Sequence, residues 1–284
     1  MSSYLTLSFK VIERLKISSF QAVVFNYVTC AVLGSIISSS FIFKDSLHKP
    51  WFTWGILVGF TFVTLLNIIA ITAQKISVAV ASVANKLSLV IPFIFSIFLY
   101  NEKATILKIA GVLLALAGVL LTSLPGKNKK TSSTSSIIAP VLKFILPAIL
   151  FVGSGLLDTM MKYVQIKYLR GDENEYTATL FSAAAIIALL ILPFFLRIKK
   201  ETFDIRSIPA GILIGVPNYF SIWFLLRVLK KFNNNSTAII PINNMSIVLV
   251  SSIAAWFIFK EHISFINWIG IIVSLAAIAL IAFG

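Results

Sequence analysis

Charge is scarce in this sequence and unevenly signed: 12% of its 284 residues are charged, with 10 acidic side chains against 24 basic ones. Soluble domains carry about twice that charged fraction. Cysteine is scarcer still. Cys30 is alone and lies in an apolar run, which excludes an intrachain disulfide and gives no thiol pair or cysteine metal cluster. The two histidines, His48 and His262, fall in predicted loops without metal-ligand companions, so an intramembrane metalloenzyme is disfavoured. No glycine-rich phosphate loop occurs, which argues against nucleotide-driven work within this chain. A charged n-region followed by a defined apolar core and a small-residue cleavage site is also missing, so no signal peptide is expected and insertion would use the first helices.

What is abundant is apolar surface. Hydrophobic residues make up 58% of the chain and the mean hydropathy is +0.98. Apolar runs long enough to cross a bilayer recur along nearly the whole sequence, each bounded by Lys, Arg, Asn, Pro or Gly. Ten candidate spans are predicted, at 2–15, 20–41, 51–73, 78–100, 104–124, 141–161, 176–196, 208–229, 237–259 and 263–283. The runs are continuously apolar over about twenty residues, whereas barrel strands alternate over about ten, so helices are expected. The net charge of +14 sits mainly in the short breaks between runs. There it reads as topology signal and headgroup anchor, and with no polar domain to carry a nucleic-acid site, nucleic acid is not an expected partner.

Residues 125–140, beginning Pro125 Gly126 Lys127 Asn128 Lys129 Lys130 and continuing through Thr131 to Ser136, are polar and flexible and divide the chain near its middle. The two sides match. Gly55 and Gly59 correspond to Gly211 and Gly215, 156 residues later. Three extra residues near Asn233 to Asn235 shift the register to 159, at which Ser77 meets Ser236, Asn85 meets Asn244, Phe98 meets Phe257, Glu102 meets Glu261 and Gly111 meets Gly270. Leu or Ile would coincide by chance among apolar helices; an Asn, a Glu and a Gly in one register point to duplication. The predicted fold class is therefore all-α integral membrane, about ten transmembrane helices in two five-helix repeats, 1–124 and 141–284. An odd number of spans per repeat inverts the second copy, the arrangement of many secondary transporters.

The segments that carry the repeat are Leu99 Tyr100 Asn101 Glu102 Lys103 with Gly111 to Gly118, and Phe257 Ile258 Phe259 Lys260 Glu261 with Gly270. With the cores Ala81 to Ser88 and Ile240 to Met245, they resemble the drug/metabolite transporter superfamily and, within it, the EamA-type ten-helix permeases. The resemblance covers nearly the entire chain. It implies helices three, four, eight and nine around a central cavity, helices five and ten at the periphery, cytoplasmic termini, and export or exchange of a small organic solute. It does not fix the substrate. Span one departs from the pattern, with nine residues before Lys10 where about twenty are needed to cross; either it is short and tilted or the reading frame begins late by roughly three turns.

Polar groups inside spans are costly and each needs a partner, a cavity or a substrate. Lys86, near the middle of span four beside Asn85, reads as a counter-ion for an anionic or zwitterionic substrate or as half of a structural ion pair. Asp158 in span six has three readings: a partner for Lys86, a proton-coupling carboxylate, or a headgroup-level partner for Lys162 four residues on. Pro241 precedes Asn243 and Asn244, and Pro217 precedes Asn218 and Tyr219. A proline opens the helical ladder locally, so these polar neighbours are cavity candidates. Asn26, Tyr27, Asn67 and Trp223 would add amide and aromatic walls, although any single Asn is as readily an interhelical hydrogen bond. Glu102 and Glu261 read as structural, each facing the positive end of the next helix, and the paired glycines as sites of close helix packing.

These features lead to a multi-pass protein of the cytoplasmic (inner) membrane, not an enzyme and without a cofactor or metal. Its expected partners are a small-molecule substrate and membrane lipid, with a homodimer admitted. A membrane-embedded enzyme would show catalytic sets at helix ends, and a scaffold would tolerate Lys86→Leu. Lys and Arg divide almost evenly between the two sides, so the basic linker after Pro125 conflicts with cytoplasmic termini and orientation stays open.

Overall fold

The structure is a computed structural model and describes residues 8, 12, 15–38, 46–75, 78–100, 105–123, 140–169, 171–232, 238–247, 250 and 265–283. Most of span one, the linker up to residue 139, Ser77, Ser236, Phe257, Glu102 and Glu261 lie outside the described residues. The described residues form helices and no strand. These are α1 (Ser19–Ser38), α2 (Phe52–Lys75), α3 (Val78–Leu87), α4 (Val90–Tyr100), α5 (Ile106–Ser123), α6 (Pro140–Lys167), α7 (Glu173–Lys199), α8 (Ser207–Lys231), α9 (Ala238–Ile247) and α10 (Phe265–Phe283).

Five of these stretches, within α1, α2, α6, α7 and α8, are long and apolar enough to cross a membrane. Many of the large side chains left on the surface are apolar, among them Ile36, Phe60, Leu113, Leu190, Phe194, Leu213 and Ile272. Several buried positions hold polar groups such as Gln21, Asn26, Thr177, Asn218 and Asn244. A surface of Leu, Ile and Phe over a partly polar interior suits lipid as the solvent, where helices must satisfy their own backbone groups.

Two predicted boundaries are corrected. Span six was expected to stop at 161, before Lys162, yet α6 continues to Lys167. Lys162 is only 1% exposed, so its charge is accommodated inside the packing and does not end the helix. Span four is not one helix but two, α3 and α4, separated at Ser88 and Leu89. The cause is Pro92. It has no N–H to offer the Ser88 carbonyl four residues back and its ring crowds that position, so the Ser88 carbonyl instead accepts from Ile91 N (3.0 Å). One step earlier Leu89 N donates to the Lys86 carbonyl at 3.3 Å, and the Ser88 hydroxyl donates to the Asn85 carbonyl at 2.6 Å. Three-residue turns thus replace the α ladder for one turn.

Packing divides the chain into two compact units, residues 1–67 with 160–231, and residues 68–159 with 232–284. Each draws on both sides of the linker. In the first unit α1 packs on α7 and on α8. Gly59 on α2 faces α7 so closely that a Cβ there would stand 2.6 Å from the Leu180 carbonyl, and its repeat mate Gly215 on α8 faces α1, where a Cβ would stand 2.6 Å from Thr29 Cβ. Thus span three of one repeat packs on span seven of the other, and span eight on span two. The start of α1 is tied down by Gln21, which donates to the Thr202 carbonyl (3.0 Å) and accepts from Asp204 N (2.8 Å).

In the second unit α5 packs along α10. A Cβ on Gly111 would lie 2.6 Å from Ile281 Cγ1, while one on Gly118 would collide with the Ser274 hydroxyl and lie 3.3 Å from the Gly270 carbonyl. A core of Leu89, Phe93, Val112, Ala115, Val119, Ala238, Met245, Ala277 and Ile281 joins α4, α5, α9 and α10. Leu89 in the helix break and Met245 beside Asn244 belong to this same core and are fully buried, which fixes the backbone on both sides of the polar cluster described next.

Candidate functional site

The second unit gathers three polar side chains from three helices. Lys86, in the last turn of α3, donates from Nζ to Asn244 Oδ1 on α9 at 3.4 Å. Asn244 Nδ2 in turn donates to Asp158 Oδ2 on α6, also at 3.4 Å. The amide is oriented by its neighbours, oxygen toward the cation and nitrogen toward the anion. Ammonium and carboxylate are therefore joined through one neutral group. Both bonds are longer than the usual 2.7–3.2 Å range.

Each side chain has a local reason for its place. Lys86 ends a helix, where its positive charge complements the negative end of the α3 dipole. Gly155 lets α6 approach α4 closely, since a Cβ there would meet Ile91 Cβ at 2.5 Å, and Asp158 follows one turn later on the same helix. Pro241 stands three residues before Asn244 within α9. Asn85 and Asn243 flank the cluster in sequence and are half-buried; the Asn85 carbonyl receives the Ser88 hydroxyl. Of the three readings open for Asp158, the geometry joins it to Lys86 by way of Asn244.

The first unit holds a separate polar group. Asn218 Nδ2 donates to Asn26 Oδ1 at 3.1 Å, and the buried Cys30 thiol donates to the Gly215 carbonyl at 3.2 Å. Tyr27 and Tyr219, next in sequence to these two asparagines, place their rings 6.4 and 5.8 Å from that of Phe181. Both rings are buried and neither hydroxyl has a partner among the described residues. Asn67 donates within its own helix to the Val63 carbonyl (2.8 Å). Trp223 donates from Nε1 to Asn174 Oδ1 at 2.8 Å and lies under Arg227, whose guanidinium carbon is 3.7 Å from the ring centroid. These two side chains are thus engaged within the first unit.

The loop ahead of α2 is anchored to the start of α7. Asp172 Oδ2 accepts from Trp51 Nε1 (3.0 Å) and from Lys49 Nζ (3.1 Å), and Trp51 stacks edge-on against Tyr176 at 5.7 Å. Partial burial pushes the Asp172 carboxyl up, but the Trp51 and Lys49 hydrogen bonds outweigh it and hold the group below the ordinary carboxylate range.

Sequence reasoning missed the helix break at Ser88 and Leu89, for which Pro92 was the available signal, and the burial of Lys162, for which the sequence carries none. Among the described residues no group of three or more His, Cys, Asp or Glu could hold a metal ion.

The family model of the EamA-like transporter family matches residues 1–124 and 145–283 of the chain. The chain belongs to the EamA-like transporter family. It is a multi-pass membrane protein of a transporter family. Among its relatives is an uncharacterized protein of Haemophilus influenzae, 28% identical over 282 residues that span 95% of this chain and 90% of that protein. An uncharacterized transporter of Bacillus subtilis, YdfC, is 28% identical over 116 residues, 41% of this chain and 37% of that one. A solved crystal structure superposes with a TM-score of 0.74 over 99% of this chain and 93% of its own, at 15% identity; that likeness concerns the fold alone. The two segments matched by the family model flank the polar linker, as the sequence repeat does.

Proposed function

We propose that this chain is a secondary transporter that moves a small organic metabolite across the cytoplasmic membrane by alternating access, as export or exchange, with Lys86, Asn244 and Asp158 holding the solute. The observation that carries this reading is the Lys86–Asn244–Asp158 cluster beside a broken helix. Discontinuous helices with polar groups at the break are the usual construction of solute sites in secondary transporters. A Lys and an Asp inside a membrane protein are expensive to retain and mark substrate or ion paths.

The amide of Asn244 suggests what kind of solute fits. It offers an acceptor to Lys86 and a donor to Asp158, the same pattern that a zwitterion presents with its carboxylate and its ammonium. A solute carrying both groups would take over both hydrogen bonds and strengthen each with charge. Asn85 and Asn243 supply further amides at the same level of α3 and α9. In the first unit, Tyr219 keeps a buried hydroxyl without a partner among the described residues, while Asn218 is already held by Asn26. The ten-helix, inverted-repeat topology belongs to this proposal and is supported by the reciprocal packing of Gly59 on α7 and Gly215 on α1.

Thermal unfolding of the purified protein against a panel of zwitterions, monocarboxylates, amines and neutral sugars tests the solute class. Zwitterions are expected to raise the unfolding temperature of the wild type and to lose that effect in Lys86→Ala. Stabilisation by neutral sugars alone, or a zwitterion effect that survives Lys86→Ala, would remove the cluster from the site.

A further inference from the structure

We infer that the cavity between the start of α7 and the end of α8 binds the phosphate-bearing headgroup of an anionic phospholipid. This cavity, of about 550 Å³, is lined by Gly171, Glu173, Asn174, Arg227, Lys230 and Lys231. Its place in the membrane follows from length: α8 has 25 residues and so spans about 37 Å at 1.5 Å per residue, more than the roughly 30 Å of hydrocarbon. The last turns of α8 therefore reach the headgroup layer.

The lining is built for an anion. Three of the six residues are cations and one is an anion, and that anion, Glu173, is held by Lys230 at 2.9 and 3.1 Å. Arg227 is the organising group. Its guanidinium lies on the face of Trp223, and the indole is itself fixed by its hydrogen bond to Asn174. A guanidinium held by its face keeps its edge N–H groups for an acceptor, and that edge matches a phosphate in a bidentate manner. The α7 dipole adds nothing to this, because Glu173 and Glu175 already occupy its first turn.

The neighbouring surface selects a lipid over a soluble anion. Phe224 and Val228 are 51% and 41% exposed and stand four residues apart, a spacing that places them along one side of the α8 end. Val228 directly follows the lining residue Arg227, and Phe224 stands one turn before it. An acyl chain can lie along this apolar strip while its phosphate enters the basic cavity, the arrangement by which basic pockets between transmembrane helices take anionic headgroups.

Native mass spectrometry of the full-length chain in neutral detergent tests this with phosphatidylglycerol, phosphatidylcholine and inorganic phosphate as probes. Phosphatidylglycerol is expected to be retained in preference to phosphatidylcholine. Arg227→Gln should weaken phosphatidylglycerol about fivefold, the equivalent of ~1 kcal/mol for one basic residue near a charged lipid, and leave phosphatidylcholine unchanged. Arg197→Gln, near the other end of α7, should change neither. Arg227→Lys keeps the charge but loses the fork and should fall between wild type and Gln; it serves alone if the Gln variant does not fold. Equal retention of the two lipids, no effect of either Arg227 variant, or displacement of phosphatidylglycerol by inorganic phosphate at equal concentration would each overturn the proposal.

Discussion

Asn244→Ala removes the group that links the two membrane charges, and its effect can be sized from the structure. Lys86 loses its hydrogen bond to Oδ1 and Asp158 its hydrogen bond from Nδ2, each of 3.4 Å. A hydrogen bond to a charged group contributes ~1.5–3 kcal/mol. Because both are long, the low end applies, and the loss should be ~3 kcal/mol in all. In an Asp158→Asn background the donated bond goes to a neutral acceptor, worth ~1 kcal/mol. The same Asn244→Ala change should therefore destabilise that background less, leaving a coupling of about 0.5 kcal/mol between the two positions. The assay is a double-mutant cycle of thermal or denaturant unfolding in detergent. Additivity of the two substitutions within ~0.3 kcal/mol would refute the reasoning, since it would mean that Asn244 and Asp158 do not interact.

Three further perturbations follow from named contacts. Pro92→Ala restores an N–H that can reach the Ser88 carbonyl, so α3 and α4 should fuse; the unfolding temperature is expected to rise while solute flux falls, and unchanged flux with a higher unfolding temperature would separate the break from function. Gly59→Leu and Gly215→Leu should each destabilise by ~1–3 kcal/mol through overpacking, whereas Gly55→Ala, whose Cβ would meet Thr179 Cγ2 at an ordinary 3.4 Å, should be near neutral in the same unfolding assay. The Asp172 anchor should depend on pH. Its carboxyl is depressed in the folded chain, so its contribution is fully present above the unfolded value of about 3.9 and is lost as pH falls through the lower folded value; hydrogen exchange around Trp51 should rise below about pH 4 in wild type and stay high at all pH in Asp172→Asn.

The helical class was legible because apolar runs of membrane-spanning length cannot be hidden by context, and the family was legible because Asn, Glu and Gly seldom coincide in register by chance. The helix break was hidden in plain view. Span four reads as one continuous span through Ser88, and hydropathy does not register that Pro92 removes the donor its carbonyl would have used. Lys162 misled in the opposite direction, since a charge ends a span only if it reaches water, and here it is buried. Lys86 and Asp158 stood out as charges inside spans, and Asn244 as an amide beside a proline. What sequence could not supply was the order in which they touch, which depends on the packing that seats Leu89 and Met245 in one core. Trp223 illustrates the limit: an aromatic in a span is a fair cavity wall, but Arg227 one turn later gives its ring a cation to support.

The central claim is that a solute crosses the membrane through the Lys86–Asn244–Asp158 cluster by alternating access. Its most direct test is exchange flux in vesicles reconstituted with the full chain, using labelled solutes from the zwitterion panel and vesicles preloaded with the unlabelled solute or with buffer. Uptake that is accelerated by preloading in wild type, and reduced to the level of empty vesicles by Lys86→Ala and by Asp158→Asn, is the predicted result. Flux that is indifferent to preloading, or that persists unchanged in both variants, would contradict it.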